Sequence, residues 1–80
     1  MNKLQYERKK AKLSQNQLAT KAKVNVQTIQ ALEIETNDIN NSRLITLLKL
    51  ATALNVRLEN IVTNEELISL LKDYNHLIIN

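Results

Sequence analysis

The stretch Leu13–Glu33, LSQNQLATKAKVNVQTIQALE, constrains the fold more than any other part of this chain. Ser14 followed three residues later by Gln17 is a capping-box pair, so the spacing predicts a helix starting just after Ser14. Leu18 and Ala22 then share one face of that helix. Ala19 is small where a second helix must cross closely, and a larger side chain would push the two apart. Asn25 is a good N-cap for the next helix. In that second helix Ile29 and Leu32 are three apart and point back at the first. The polar Gln27, Thr28 and Gln30 are left facing outward.

Two short helices crossing at a tight turn, the second with a polar outer face, is the layout of a helix-turn-helix. These residues resemble the Cro-and-repressor type of helix-turn-helix, the Xre family. The resemblance is carried by Leu13-Ser14-Gln15, Leu18-Ala19, Val24, Ile29 and Glu33. Arg8 stands where the family often has an arginine that pairs with the glutamate matched by Glu33. Leu47-Leu48-Lys49-Leu50-Ala51-Thr52-Ala53-Leu54-Asn55-Val56 looks like the family's fourth helix and its exit. The likeness covers residues 3–62. It implies an all-α fold, a compact five-helix repressor-like domain over residues 1–62; residues 63–80 lie beyond the family's usual core and read by their own pattern as a C-terminal helix and apolar tail. It further implies a sequence-specific regulator that binds double-stranded DNA as a homodimer on a near-palindromic operator. A repressor or genetic switch of a phage, mobile element or bacterium fits that pattern.

The chain also departs from the family. Lys23 stands where glycine is common in the turn, and lysine at positive φ costs on the order of 1 kcal/mol. Glu7 replaces an apolar residue of the first helix. Ile34-Glu35 replace an arginine-glycine type ending. The stretch Glu35–Ser42 is longer than the family's usual loop, which runs near a phosphate backbone.

Composition excludes several classes. Eighty residues make one small unit, and a chain this short buries only about 60% of its unfolded surface. It has no cysteine and one histidine, His76, so neither a disulfide nor a thiolate or multi-histidine metal site is expected. It has no glycine, so a phosphate-cradling loop is absent and no nucleotide cofactor is expected. Ser14 and Ser69 have no histidine partner at helical spacing, and the carboxylates are scattered, so the chain does not read as an enzyme. No apolar run approaches the roughly 20 residues that span a bilayer, and nothing resembles a signal peptide. A cytoplasmic protein without membrane association is the expectation. Proline is missing too, so turns must be built from Asn, Asp, Ser, Thr or Lys.

The net charge of +3 is unevenly placed. Residues 1–23 carry seven basic side chains against Glu7 alone, a balance of +6, while residues 24–80 sum to −3. By itself a basic run is as consistent with a solvated helix face as with a polyanion partner. Beside the helix-turn-helix the second reading gains.

Along the chain, helix one is expected from Asn2 or Lys3 to Lys12, with Leu4 and Ala11 inward and Asn2 and Gln5 as a cap pair. Ile39 is the only apolar residue of the following polar loop and is expected to tuck under it. Helix four should start near Ser42 or Arg43 and run to Leu54. Its stripe of Leu44, Leu47, Leu48, Ala51 and Leu54 repeats at three and four, and Asn55 is a left-handed stop. A short fifth helix, Arg57–Ile61, should bury Val56, Leu58 and Ile61. Thr63 with Glu66 is a further capping box.

The site candidates sort by chemistry. Gln15, Val26, Gln27, Thr28, Gln30 and Ala31 are placed to touch bases. Glutamine can pair with adenine through two hydrogen bonds, and Val26 and Ala31 can meet thymine methyls. Taken one at a time, such glutamines are ordinary surface helix formers. The second helix holds no arginine or lysine, which points toward an AT-containing half-site. Asn16, Lys21, Asn25, Asn37, Asn40, Asn41 and Arg43 are phosphate-contact candidates. Arg8 and Glu33 are expected to form a structural ion pair.

The tail from Leu67 has three readings: it folds on its own core, joins two subunits, or holds another protein, as an antitoxin or antirepressor would. Dimerisation is favoured, because one recognition helix touches few base pairs and specific binding commonly uses two half-sites. The interface candidates are Val56, Leu58, Ile61, Leu67, Leu70, Leu71, Tyr74, Leu77, Ile78 and Ile79.

Overall fold

The computed structural model describes residues 2–34, 43–63 and 65–79; the side chains of Ile78 and Ile79 lie outside that description. So does the loop 35–42, with the expectations placed on Ile39, Asn37, Asn40 and Asn41. The described residues are helical, with no strand among them: α1 (Lys3–Lys10), α2 (Gln15–Ala22), α3 (Val26–Glu33), α4 (Leu44–Leu54), a 3₁₀ turn (Leu58–Asn60) and α5 (Glu65–Ile79).

Helix α1 begins where its cap dictates. Asn2 Oδ1 accepts from the Gln5 N–H at 2.8 Å, and Asn2 Nδ2 donates to the Leu32 carbonyl at 2.7 Å, which ties the start of α1 to the end of α3. The helix stops at Lys10, two residues short of the expected Lys12. Ala11, expected inward, is exposed, because the chain leaves the helix there and Lys12 turns it at φ 61°. The inward face of α1 is instead Leu4 and Arg8, one turn apart.

A chain without glycine must end its helices some other way. Three of them end alike. Lys12, Lys23 and Asn55 each take a left-handed backbone, with φ of 61°, 59° and 57°. The residue after each sends its N–H five residues back: Leu13 to Arg8 O, Val24 to Ala19 O, Val56 to Ala51 O, at 3.0–3.2 Å. These are Schellman closures, and they satisfy carbonyls that the helix end would orphan. The residues after the turn, Leu13, Val24 and Val56, pack against the core, the apolar contact that accompanies this motif. Asparagine tolerates the conformation; the two lysines carry its cost.

Helix α4 reads LITLLKLATAL and is apolar nearly all round, so spacing alone does not select its inner face. Packed against α2, it buries Leu47, Leu50, Ala51, Ala53 and Leu54. Leu44 and Leu48, expected in that stripe, are exposed. The expected fifth α-helix is only the 3₁₀ turn Leu58–Asn60. Lys3 Nζ reaches across from α1 and donates to the carbonyls of Glu59 and Val62, at 2.9 and 2.8 Å, holding this turn against the first helix. The core draws one fully buried side chain from each of the first four helices, Leu4, Leu18, Ile29 and Leu50, and closes with Ile61 and Val62.

Helix α5 begins at Glu65; the expected Thr63–Glu66 cap spans residue 64, which lies outside the described residues. Glu65 and Glu66 sit in the first turn, where they complement the helix dipole. Leu67, Ile68 and Leu71 pack partly against the core. Leu70, Tyr74 and Leu77 face solvent.

Candidate nucleic-acid interface

The two helices of the turn are locked from both ends. At the start of α2, Ser14 Oγ accepts from the Gln17 N–H at 3.0 Å and Gln17 Oε1 accepts from the Ser14 N–H at 2.8 Å, a full capping box. Asn25 caps α3 by accepting from the Gln27 N–H at 2.8 Å. Ala19 and Ala22 are buried where α2 meets its neighbours, and α2 packs against both α3 and α4.

Beneath the turn lies an ionic knot. Arg8 Nε donates to Glu33 Oε2 at 2.7 Å and Arg8 Nη2 to Glu33 Oε1 at 3.1 Å, a two-pronged pair with side chains only 10% and 3% exposed. Arg8 Nη1 also donates to the Leu13 carbonyl at 2.8 Å. Gln15 Nε2 donates to Glu33 Oε1 at 3.1 Å. One carboxylate thus fastens α1, the first residue of α2 and the last of α3. The charges are satisfied on several sides, which is the condition under which burying them is tolerated.

With Ile29, Leu32 and Glu33 turned inward, α3 exposes Gln27, Gln30 and Ala31 as one solvent-facing row. Val26 and Thr28 flank it, half-buried. Gln15 does not lie free among them: it is half-buried and its amide is held by Glu33. Among the phosphate candidates, Asn16 is exposed in the first turn of α2, Lys21 in its last, and Arg43 just before α4. Asn25 is exposed, but its side-chain oxygen is engaged in the cap. Lys9, Lys10 and Lys12 are exposed at the end of α1, with Lys10 Nζ 5.9 Å from the Tyr6 ring centre.

A family model described as helix-turn-helix matches residues 4–61, well over half of the chain. The chain belongs to the Cro/repressor-type helix-turn-helix family. No curated protein and no solved structure gives a significant match. Membership makes this helix-turn-helix protein a DNA-binding transcription regulator in general terms, of a fold that is not typically enzymatic. Among the described residues, no helix is long and apolar enough to cross a membrane.

Sequence reasoning missed three contacts of this site. The Gln15–Glu33 bond spans 18 residues and the Asn2–Leu32 bond spans 30, so neither has a local signature. Lys3 reads as one more surface cation in a basic run, yet it bonds two carbonyls more than 50 residues away. Some interface candidates also lie elsewhere than a partner would require. Ile61 is fully buried in the chain's own core, and Val56, Leu58, Leu67 and Leu71 are half-buried against it. The core takes them because the 3₁₀ turn packs on α1 and α4, and α5 packs on that turn.

Proposed function

We propose that this helix-turn-helix protein is a sequence-specific repressor or genetic switch that binds a near-palindromic operator as a homodimer in the cytoplasm. One observation carries the reading. The row Gln27, Gln30 and Ala31 is the only face α3 leaves to solvent, and it sits on a helix fixed at both ends. A glutamine amide both donates and accepts, so it matches the N6 and N7 edge of adenine, and a small apolar side chain suits a thymine methyl. With no arginine or lysine on α3, two-pronged guanine recognition does not come from this helix. The half-site read by α3 therefore contains A·T pairs. Asn16 and Arg43 contact phosphates on either side and set the register. Gln15, held by Glu33, serves mainly to position the start of α2. The exposed face of α5, Leu70, Tyr74 and Leu77, joins the subunits.

Selection of bound duplexes from a random pool tests this. The expected result is an A·T-containing consensus, repeated with two-fold symmetry at a spacing of about one helical turn or a multiple of it. A set of bound sequences with no common site, and affinity that simply falls with salt, would make the protein a non-specific binder.

A further inference from the structure

The structure leaves two apolar strips bare, on different helices. On α4 they are Leu44, Ile45 and Leu48, 48–61% exposed; on α5 they are Leu70, Tyr74 and Leu77, 58–78% exposed. Ile45 and Leu48 of the α4 strip line an open groove of about 410 Å³ between α2 and α4, floored by Ala22 and Ala53 and flanked by Lys21 and Lys49; Leu44 lies beyond its end. The α5 strip has the opposite fringe. At helical spacing Glu66 and Asp73 fall along its outer edge, both exposed. Among the described residues none of these four charges is in an ion pair.

We propose that the α5 strip of one copy lies in the α2/α4 groove of a second copy, and the second copy's α5 in the groove of the first. The inference rests on the dimer reading above and names the surface that receives the tail. Three arguments select this arrangement. The strip and the groove are each apolar with a charged margin, one acidic and one basic, so docking pairs Glu66 and Asp73 with Lys21 and Lys49. A symmetric α5-to-α5 contact would instead set the same acidic margin against itself and leave Leu44, Ile45 and Leu48 in water. The strip does not fill its own groove, because α5 packs on its own core through the adjoining face, Leu67, Ile68 and Leu71, beside the 3₁₀ turn. Reciprocal exchange covers both strips on both copies and closes as a two-fold dimer, which adds no further subunits.

Charge exchange in the full-length chain tests it. One variant carries Lys21→Glu and Lys49→Glu; the other carries Glu66→Lys and Asp73→Lys. All four positions are exposed, so both should fold, as circular dichroism will show. In each variant alone the groove and tail carry the same sign twice over. Sedimentation without DNA should show each dissociating at least about tenfold more readily than the unaltered chain. Mixed together, an altered groove meets an altered tail and an unaltered groove meets an unaltered tail. The mixture should regain the original dimer affinity as a one-to-one heterodimer. If the groove variant dimerises as tightly as the unaltered chain, or the mixture fails to recover, the groove is not the receiving surface. If the unaltered chain is itself monomeric at high concentration, the dimer reading fails, and this inference with it.

Discussion

Removing one carboxylate should damage this protein more than removing any single leucine from its surface. Glu33 accepts two hydrogen bonds from Arg8 and one from Gln15, and the pair is almost wholly buried, at 10% and 3% side-chain exposure. Glu33→Ala leaves the guanidinium in place with a single remaining acceptor, the Leu13 carbonyl. Orphaning one partner of a buried pair costs roughly 3–5 kcal/mol. The surviving Leu13 contact argues for the lower end, about 3 kcal/mol. In a domain this small, each kcal/mol moves the melting temperature by roughly 4–8 °C, so a drop of about 12–24 °C is expected. The double variant Arg8→Met, Glu33→Leu removes both charges and should recover most of the loss, since replacing a buried pair with apolar groups is often neutral. Thermal melts of the two single variants and the double variant form a cycle that isolates the coupling. If the double variant loses the sum of the two single losses, the residues are not coupled, and the knot under the turn is not what holds α1 to α3. High salt should change the melting of the unaltered chain little, because a buried pair is weakly screened.

Gln27→Ala should weaken operator binding by about 1–3 kcal/mol and relax preference at one position per half-site, leaving random DNA unaffected; equal losses on both in titrations would make Gln27 a positioning contact. Lys23→Gly should raise stability by up to about 1 kcal/mol, because Lys23 holds φ 59°, and a urea midpoint that falls would show that its stem packing outweighs the backbone cost. Lys3→Met keeps the stem but loses the bonds to the Glu59 and Val62 carbonyls, and should cost about 1–2 kcal/mol in the same assay. Truncation after Val62 should leave a helical core that sediments as a monomer, binds one half-site nearly as before and loses most affinity for the paired operator; a truncated chain that unfolds would mean that Leu67, Ile68 and Leu71 are indispensable to the core.

Local patterns in this sequence were legible because their partners lie within a turn or two. The Ser14–Gln17 box, the Asn2 and Asn25 caps and the left-handed stop at Asn55 each depend on residues at fixed short spacing, and each forms. The inner face of α3 was legible for the same reason: Ile29 and Leu32 are its only large apolar residues away from the first turn. Helix α4 defeated the same method. With eight Leu, Ile or Ala residues among its eleven, periodicity cannot choose a face; packing against α2 and the 3₁₀ turn does. The end of α1 was misread because Lys12 gives no sign of a left-handed turn, which a glycine would have given. The anchoring of Gln15 depends on where Glu33 arrives, 18 residues later, and no spacing rule reaches that far.

The polar side chains of the turn divide into those the fold has used and those it has left over. Ser14, Gln17 and Asn25 are engaged in caps, and Arg8, Gln15 and Glu33 in the buried knot. Gln27, Gln30 and Asn16 remain exposed on the same two helices. A side chain already bonded within the protein must break that bond to meet DNA, so its net gain there is small. An exposed one exchanges only water. Substitution of the first group should therefore act on stability, with DNA affinity falling only as the folded population falls. Substitution of the second should act on DNA affinity at constant stability. Gln15 stands between the two groups, because its amide has one bond to Glu33 but capacity for more. Gln15→Met keeps its length and removes the amide. If melting falls while operator preference at every position is unchanged, Gln15 belongs with the framework. If preference shifts at one base pair with melting unaltered, Glu33 holds that amide in place as a reader.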